Sequence, residues 1–155
     1  MVAHRVRVAK DKADLVRDLV SSSSNTAPFS TYADVVSFAA ALGYQQGKRV
    51  PLEGISNTEP SPISLEVFVS RGYDTLLKLL AIVETQKPQV LCTYDHSWEA
   101  QRVHIFEEYA NGGLEILRER LRGTVDYTER ILLLLSATRS QSTSTGTEFD
   151  LSRFL

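Results

Sequence analysis

His104, Glu107 and Glu108 stand at helical spacing, so one helix face carries an imidazole beside carboxylates, a donor set suited to a divalent metal or to acid-base work. The chain holds three histidines, and no second ligand pair accompanies this one. An ion pair along the helix surface explains the spacing without a metal. A hidden metal-dependent nuclease would have to use His104 and Glu108. Asp95, His96 and Glu99 form a second polar group beside Trp98, where Asp95 is placed to cap a helix start. Cys92 is the single cysteine, which excludes an internal disulfide and a multi-cysteine zinc site. With no redox partner nearby it reads as a small, buried apolar residue. The chain has no phosphate-binding glycine loop, dinucleotide motif or zinc-ribbon spacing. These patterns predict no catalytic residue, no bound metal and no cofactor.

The cationic residues point in another direction. From His4 to Ala9 apolar and charged residues alternate, the pattern of a short strand with Val6 and Val8 buried and Arg5 with Arg7 on the opposite face. A strand followed by two helices is the order of a ribbon-helix-helix unit, in which strands of two chains pair and present side chains to the DNA major groove. Arg5 and Arg7 are then candidate base or phosphate contacts, doubled by dimer symmetry. The next helix start, at Ser30 and Thr31, offers backbone N–H groups to a phosphate. Lys10, Lys12, Lys48 and Arg49 extend the same basic surface. The alternative is that both arginines form the solvated face of an edge strand, where charge suppresses unwanted pairing. The net charge of −2 argues against indiscriminate coating of nucleic acid. Up to residue 50, however, seven Lys or Arg face four Asp or Glu, so a polyanion contact belongs near the N-terminus.

These residues must be positioned by helices. A stripe of Ala13, Leu15, Val16, Leu19 and Val20 predicts a first helix ending at the Ser21 to Ser24 run, a flexible connection longer than a ribbon-helix-helix turn. A second helix starts at Ser30 or Thr31 with Asp34 in its first turn, and Gly43 is placed to close it. Breakers from Lys48 to Pro62 predict an ordered surface loop. Residues 63–70 fit either a strand or a short helix with Leu65, Phe68 and Val69 inward. Asp74 is expected to cap a central, strongly apolar helix through Val83. A helix from about Ser97 to Ala110 should end at Asn111-Gly112-Gly113, with a sharp turn into Leu114. Asp126 with Glu129 opens the last helix, whose Ile131 to Leu135 run has core character.

The predicted fold is therefore mainly α: about five to six helices with a short N-terminal β-strand and a ribbon-helix-helix-like start. One helical domain should span 1–139, with a strand-helix-helix unit over 1–44 and a helical core over 63–139. Residues 140–155, rich in Ser, Thr, Gln and Gly, read as a flexible tail, with Phe149, Leu151, Phe154 and Leu155 as a docking peptide. No apolar run approaches the roughly 20 residues of a spanning helix, and the N-terminus lacks a signal peptide's apolar stretch. A cytoplasmic location and no membrane contact are expected.

Phe38-Ala39-Ala40-Ala41-Leu42-Gly43-Tyr44, then Gly47-Lys48-Arg49-Val50-Pro51-Leu52, then Glu107-Glu108-Tyr109-Ala110-Asn111-Gly112-Gly113-Leu114 resemble markers of the small accessory proteins of the bacterial DNA phosphorothioation (Dnd) system. The resemblance covers most of the chain except the tail. It implies a place in a defence locus that replaces a phosphate oxygen with sulfur and restricts unmodified DNA; it implies no known activity. Combined with the basic N-terminus, it leads to the expectation of a non-catalytic component that binds DNA or tethers a restriction complex to it, as a homo-oligomer. The competing expectation is a protein-only adaptor, with Glu107, Glu108, Tyr109 and Asn111 at a corner that holds other subunits of the system, against a plain helix-helix turn in the core.

Overall fold

The computed structural model describes residues 4–20 and 27–144. The serine-rich connection expected over 21–24, and 145–155 of the expected tail, lie outside the described residues. Among the described residues, six α-helices and one two-stranded antiparallel sheet make up the fold. β1 (Arg5–Val6) is followed by a 3-10 turn at Lys10–Lys12, α1 (Ala13–Asp18) and α2 (Tyr32–Gln45). Then come β2 (Ile63–Ser64), α3 (Leu65–Ser70), α4 (Asp74–Thr85), a 3-10 turn at Pro88–Leu91, α5 (His96–Leu121) and α6 (Tyr127–Ser144).

β1 carries the period-two pattern faithfully: Val6 and Val8 are buried while Arg5 and Arg7 are exposed. Its partner strand comes from the same chain, with Arg5 opposite Ser64 and Val6 opposite Ile63. The segment stays zipped beyond the strand. Leu65 N–H donates to His4 O, Val8 N–H to Ser61 Oγ, Ser56 N–H to Val8 O, and Lys10 N–H to Gly54 O. The open alternative at 63–70 resolves as both elements in succession, strand then helix, with Phe68 fully buried, Leu65 half-buried and Val69 exposed.

α5 is one continuous helix through Asn111-Gly112-Gly113, where a break and turn were expected. Each helical glycine costs about 1 kcal/mol relative to alanine, so something must compensate, and α2 supplies it. A Cβ on Gly113 would run into the Ala39 carbonyl, one on Gly43 into the Tyr109 carbonyl, and one on Gly112 into the Lys48 carbonyl. The glycines let two helix backbones and the following loop touch. Gly43 accordingly does not end α2, which runs on to Gln45; Gly47, at φ +63°, takes the left-handed position.

The core lies around α5, where Phe106 meets Phe68 edge-on at 5.5 Å and Leu114, Leu117, Val35, Val36 and Val16 close the interior. Two helices expected at the centre are instead peripheral. α4 buries Leu77, Leu80 and Ala81 but leaves Leu79 and Val83 exposed, and Tyr73, not Asp74, precedes its first turn. α6 buries Ile131 but exposes Leu132, Leu133 and Leu135 at 58%, 55% and 45%. Four consecutive leucines step 100° each around a helix, so they cannot share one buried face. Cys92 is exposed, contrary to its apolar reading: it closes a 3-10 turn at the surface.

Candidate functional site

Most of the cationic and anionic candidates meet one another. Glu107 on α5 is buried, and one of its oxygens, Oε2, accepts from Arg7 Nε at 2.8 Å and from the Arg7 backbone N–H at 3.2 Å. Burial pushes the Glu107 carboxyl up, and the Arg7 hydrogen bonds and charge offset only part of that. Glu108, one residue on, faces a different partner: its Oε1 accepts from Arg49 Nε at 3.1 Å and Nη2 at 2.7 Å, and lies 3.0 Å from His104 Nε2.

Arg49 also bridges to α4, donating Nη1 to Glu84 Oε1 at 2.6 Å. Burial works to lower the Arg49 pKa, but the hydrogen bonds to Glu108 and Glu84 outweigh it and leave the value raised. Glu84 in turn accepts from the Tyr109 hydroxyl at 2.5 Å, which holds its carboxyl low. Burial and the Glu84 carboxylate push the Tyr109 phenol up to about 12. The Arg49 guanidinium lies 5.8 Å from the Tyr109 ring centroid, and Tyr44 meets that ring edge-on at 5.7 Å. Asn111 completes the face by donating Nδ2 to the carbonyls of Val50 and Pro51.

This arrangement clamps four chain segments to α5. The carboxylates of Glu84, Glu107 and Glu108 are engaged by arginine, tyrosine or histidine, and among the described residues none of the three hydrogen-bonds a serine, threonine or cysteine as a base would a nucleophile. Glu107, Glu108, Tyr109 and Asn111, expected at an external corner, are all buried with partners inside the chain. The basic set divides similarly. Lys12 is buried, its amine 2.8 Å from Asp11 Oδ2, because the 3-10 turn directs it inward where the helical stripe predicted an outward position. Lys48 lies 3.3 Å from Glu115. Thr31 caps α2 through its hydroxyl, and the Asp34 carboxylate accepts from Thr31 N–H, Arg71 and Tyr73, so an anionic group already occupies that helix start. Ser30 is exposed beside it. Arg5 and Lys10 alone of this set are exposed cations with no carboxylate partner among the described residues.

Two features escaped the sequence reading. A groove of about 340 Å³ between α6, α5 and the end of α2 has Leu42, Ile116, Leu133 and Leu134 in its walls and Arg120 and Arg130 at its polar edge. Neither arginine has a carboxylate partner among the described residues; Arg130 donates to the Arg120 carbonyl. The four-leucine run was the available signal. The second is a gathering of His4 with His96 and Glu99 at the start of α5, where metal-ligating atoms lie within 4.8 Å of one another. The i, i+3 spacing of His96 and Glu99 was visible, but His4 is remote in sequence.

The fold and this face define a mainly helical protein organised by one long helix whose polar face is paired within the chain except at the buried Asn111 Oδ1. The chain belongs to the family of DNA sulphur modification system-associated protein 4, whose model matches residues 5–154. Membership associates it with a DNA sulphur modification system, in agreement with the resemblance carried by the Ala- and Gly-containing segments. No curated protein and no solved structure matches the chain. No described helix is long and apolar enough to cross a membrane.

Proposed function

We propose that this chain is a non-catalytic, cytoplasmic accessory component of a DNA sulphur modification system that acts by holding another protein subunit of that system through α6. The observation that carries this reading is the exposure of Leu132, Leu133 and Leu135 on a helix whose inner side is already packed. Covering what remains exposed of one such half-covered side chain contributes about 1 kcal/mol, and a patch of this kind is characteristic of an interaction site. The groove beside it adds chemistry to the choice of partner. Arg120 and Arg130 flank an apolar wall without carboxylate partners among the described residues, which suits an amphipathic segment bearing acidic residues next to its apolar ones. The internally neutralised face of α5 supports the non-catalytic part of the reading.

Co-expression with the other subunits of the system tests it. The parent should purify in a stoichiometric complex, and Leu132→Glu with Leu133→Glu should release the partner while leaving the thermal melt of the isolated chain unchanged. A complex that persists in the double variant ends this reading. A second copy of this chain in place of the partner, seen as a dimer by light scattering, would redirect the face to self-association.

Direct DNA contact is a second reading, favoured by Arg5 and Lys10, exposed cations without a carboxylate partner among the described residues. With Arg7, Lys12, Lys48 and Arg49 held by carboxylates, it rests on a narrower basic surface than the sequence suggested.

A further inference from the structure

His4 lies at the entrance to β1, and His96 and Glu99 share the first turn of α5. β1 runs beside α5, so two segments far apart in sequence bring two imidazoles and a carboxylate into one cluster. The ligating atoms of the three residues lie within 4.8 Å of one another. His4 Nε2 is 3.3 Å from Glu99 Oε1, and the two imidazole centroids are 6.1 Å apart. His4 Nε2 is sealed from solvent, and although Glu99 is close it is not aligned to hydrogen-bond with it. A buried polar atom without a partner is costly. Bond formation to a cation between the three groups removes that cost.

We propose that His4, His96 and Glu99 bind a divalent first-row transition-metal ion of the zinc type. Two imidazole nitrogens and one carboxylate oxygen are a mixed donor set that such ions prefer over magnesium or calcium, which take oxygen ligands. The site sits at a helix N-terminus, whose partial positive charge of about half an elementary unit opposes a cation. The full charge of Glu99, with Asp95 adjacent at the cap, exceeds it. Arg102 also opposes the ion, with Nη2 4.0 Å from Glu99 Oε2, but its Nη1 is held away by the carbonyls of Val90 and Cys92. Three protein ligands leave coordination positions for water or an exogenous oxygen on the side of the exposed His96. The ion would fasten the start of β1 to α5, independently of any partner on α6.

The test is titration of the full chain with Zn²⁺ by calorimetry, and with Co²⁺ by visible absorbance, which reports ligand geometry. One equivalent should bind, raise the melting temperature, and be reversed by a chelator. His4→Ala, His96→Ala and Glu99→Gln should each weaken binding at least about tenfold. His104→Ala, which removes the histidine outside the cluster, should leave the affinity unchanged. Should His4→Ala compromise folding, Glu99→Gln, a near-isosteric change at a partly exposed position, decides alone. Absence of stoichiometric binding, or binding that survives Glu99→Gln, overturns the proposal and leaves His4 and Glu99 as a metal-free contact.

Discussion

Arg7 donates its Nε and its backbone N–H to the same oxygen of Glu107, a residue one hundred positions later on α5. One buried carboxylate thereby satisfies a backbone donor on the strand segment and neutralises a guanidinium that the sequence alone offered to DNA. The same relationship recurs between Arg49 and Glu108. The N-terminal segment and the loop after α2 are thus held against α5 through charge as well as through Val6 and Val8.

Arg7→Ala should destabilise the protein by about 2–3 kcal/mol near neutral pH, because it strands a buried carboxylate. Glu107 has a folded pKa above its unfolded value, so ionising it works against the folded state. Its contribution improves as pH falls through the folded pKa toward the unfolded one, and loss of Arg7 raises the folded value further. The penalty of Arg7→Ala measured by urea unfolding should therefore shrink as pH falls from neutral toward the ordinary carboxyl value of 4.5. A penalty constant over that range contradicts the account.

Gly113→Ala should cost about 3 kcal/mol or more, since the new Cβ meets the Ala39 carbonyl, which cannot yield without separating α2 from α5. Gly112→Ala meets the Lys48 carbonyl in the loop and should behave similarly. If Gly113 were only a helix weakness, alanine would stabilise by about 1 kcal/mol. The sign of the change in chemical-denaturation midpoint separates the two.

Asp34→Ala removes the capping box of α2 and the anchor for Arg71 and Tyr73, a loss of about 1–2 kcal/mol. Burial raises the Asp34 pKa, but hydrogen bonds from Tyr73, Thr31 and Arg71 outweigh it and hold the carboxyl below its ordinary 3.8. A depressed folded pKa gives stability that is complete above 3.8 and lost as pH falls through the folded value. Parent and variant should differ at pH 7 and converge in acid melts below that range; a gap unchanged by acid would count against the role.

If DNA is contacted, Arg5→Ala with Lys10→Ala should abolish the salt dependence of duplex binding, and the parent's log-log salt slope should be no steeper than about −2, for two phosphate contacts. Lys48→Ala should change little, because Lys48 already faces Glu115. A slope of −5 or steeper in fluorescence anisotropy would require a basic surface elsewhere on the chain.

Local physics was readable in the sequence. The Thr31 and Asp34 cap, the Asp126 and Glu129 start of α6, the alternation of Val6 and Val8 and the inward Phe68 are all observed, because each depends on backbone geometry within a few residues. Hydrophobic periodicity likewise determined a mainly helical chain with a short N-terminal strand. Tertiary structure decided the rest. Whether Gly112 and Gly113 break a helix or admit a second backbone depends on what lies opposite, and Ala39 and Lys48 supply that answer. Whether Arg7 and Arg49 face water or carboxylates depends on contacts spanning 100 and 59 positions, to which periodicity is blind. Charge acts through space while sequence patterns act along the chain, so only folding revealed that the two predicted surfaces neutralise each other.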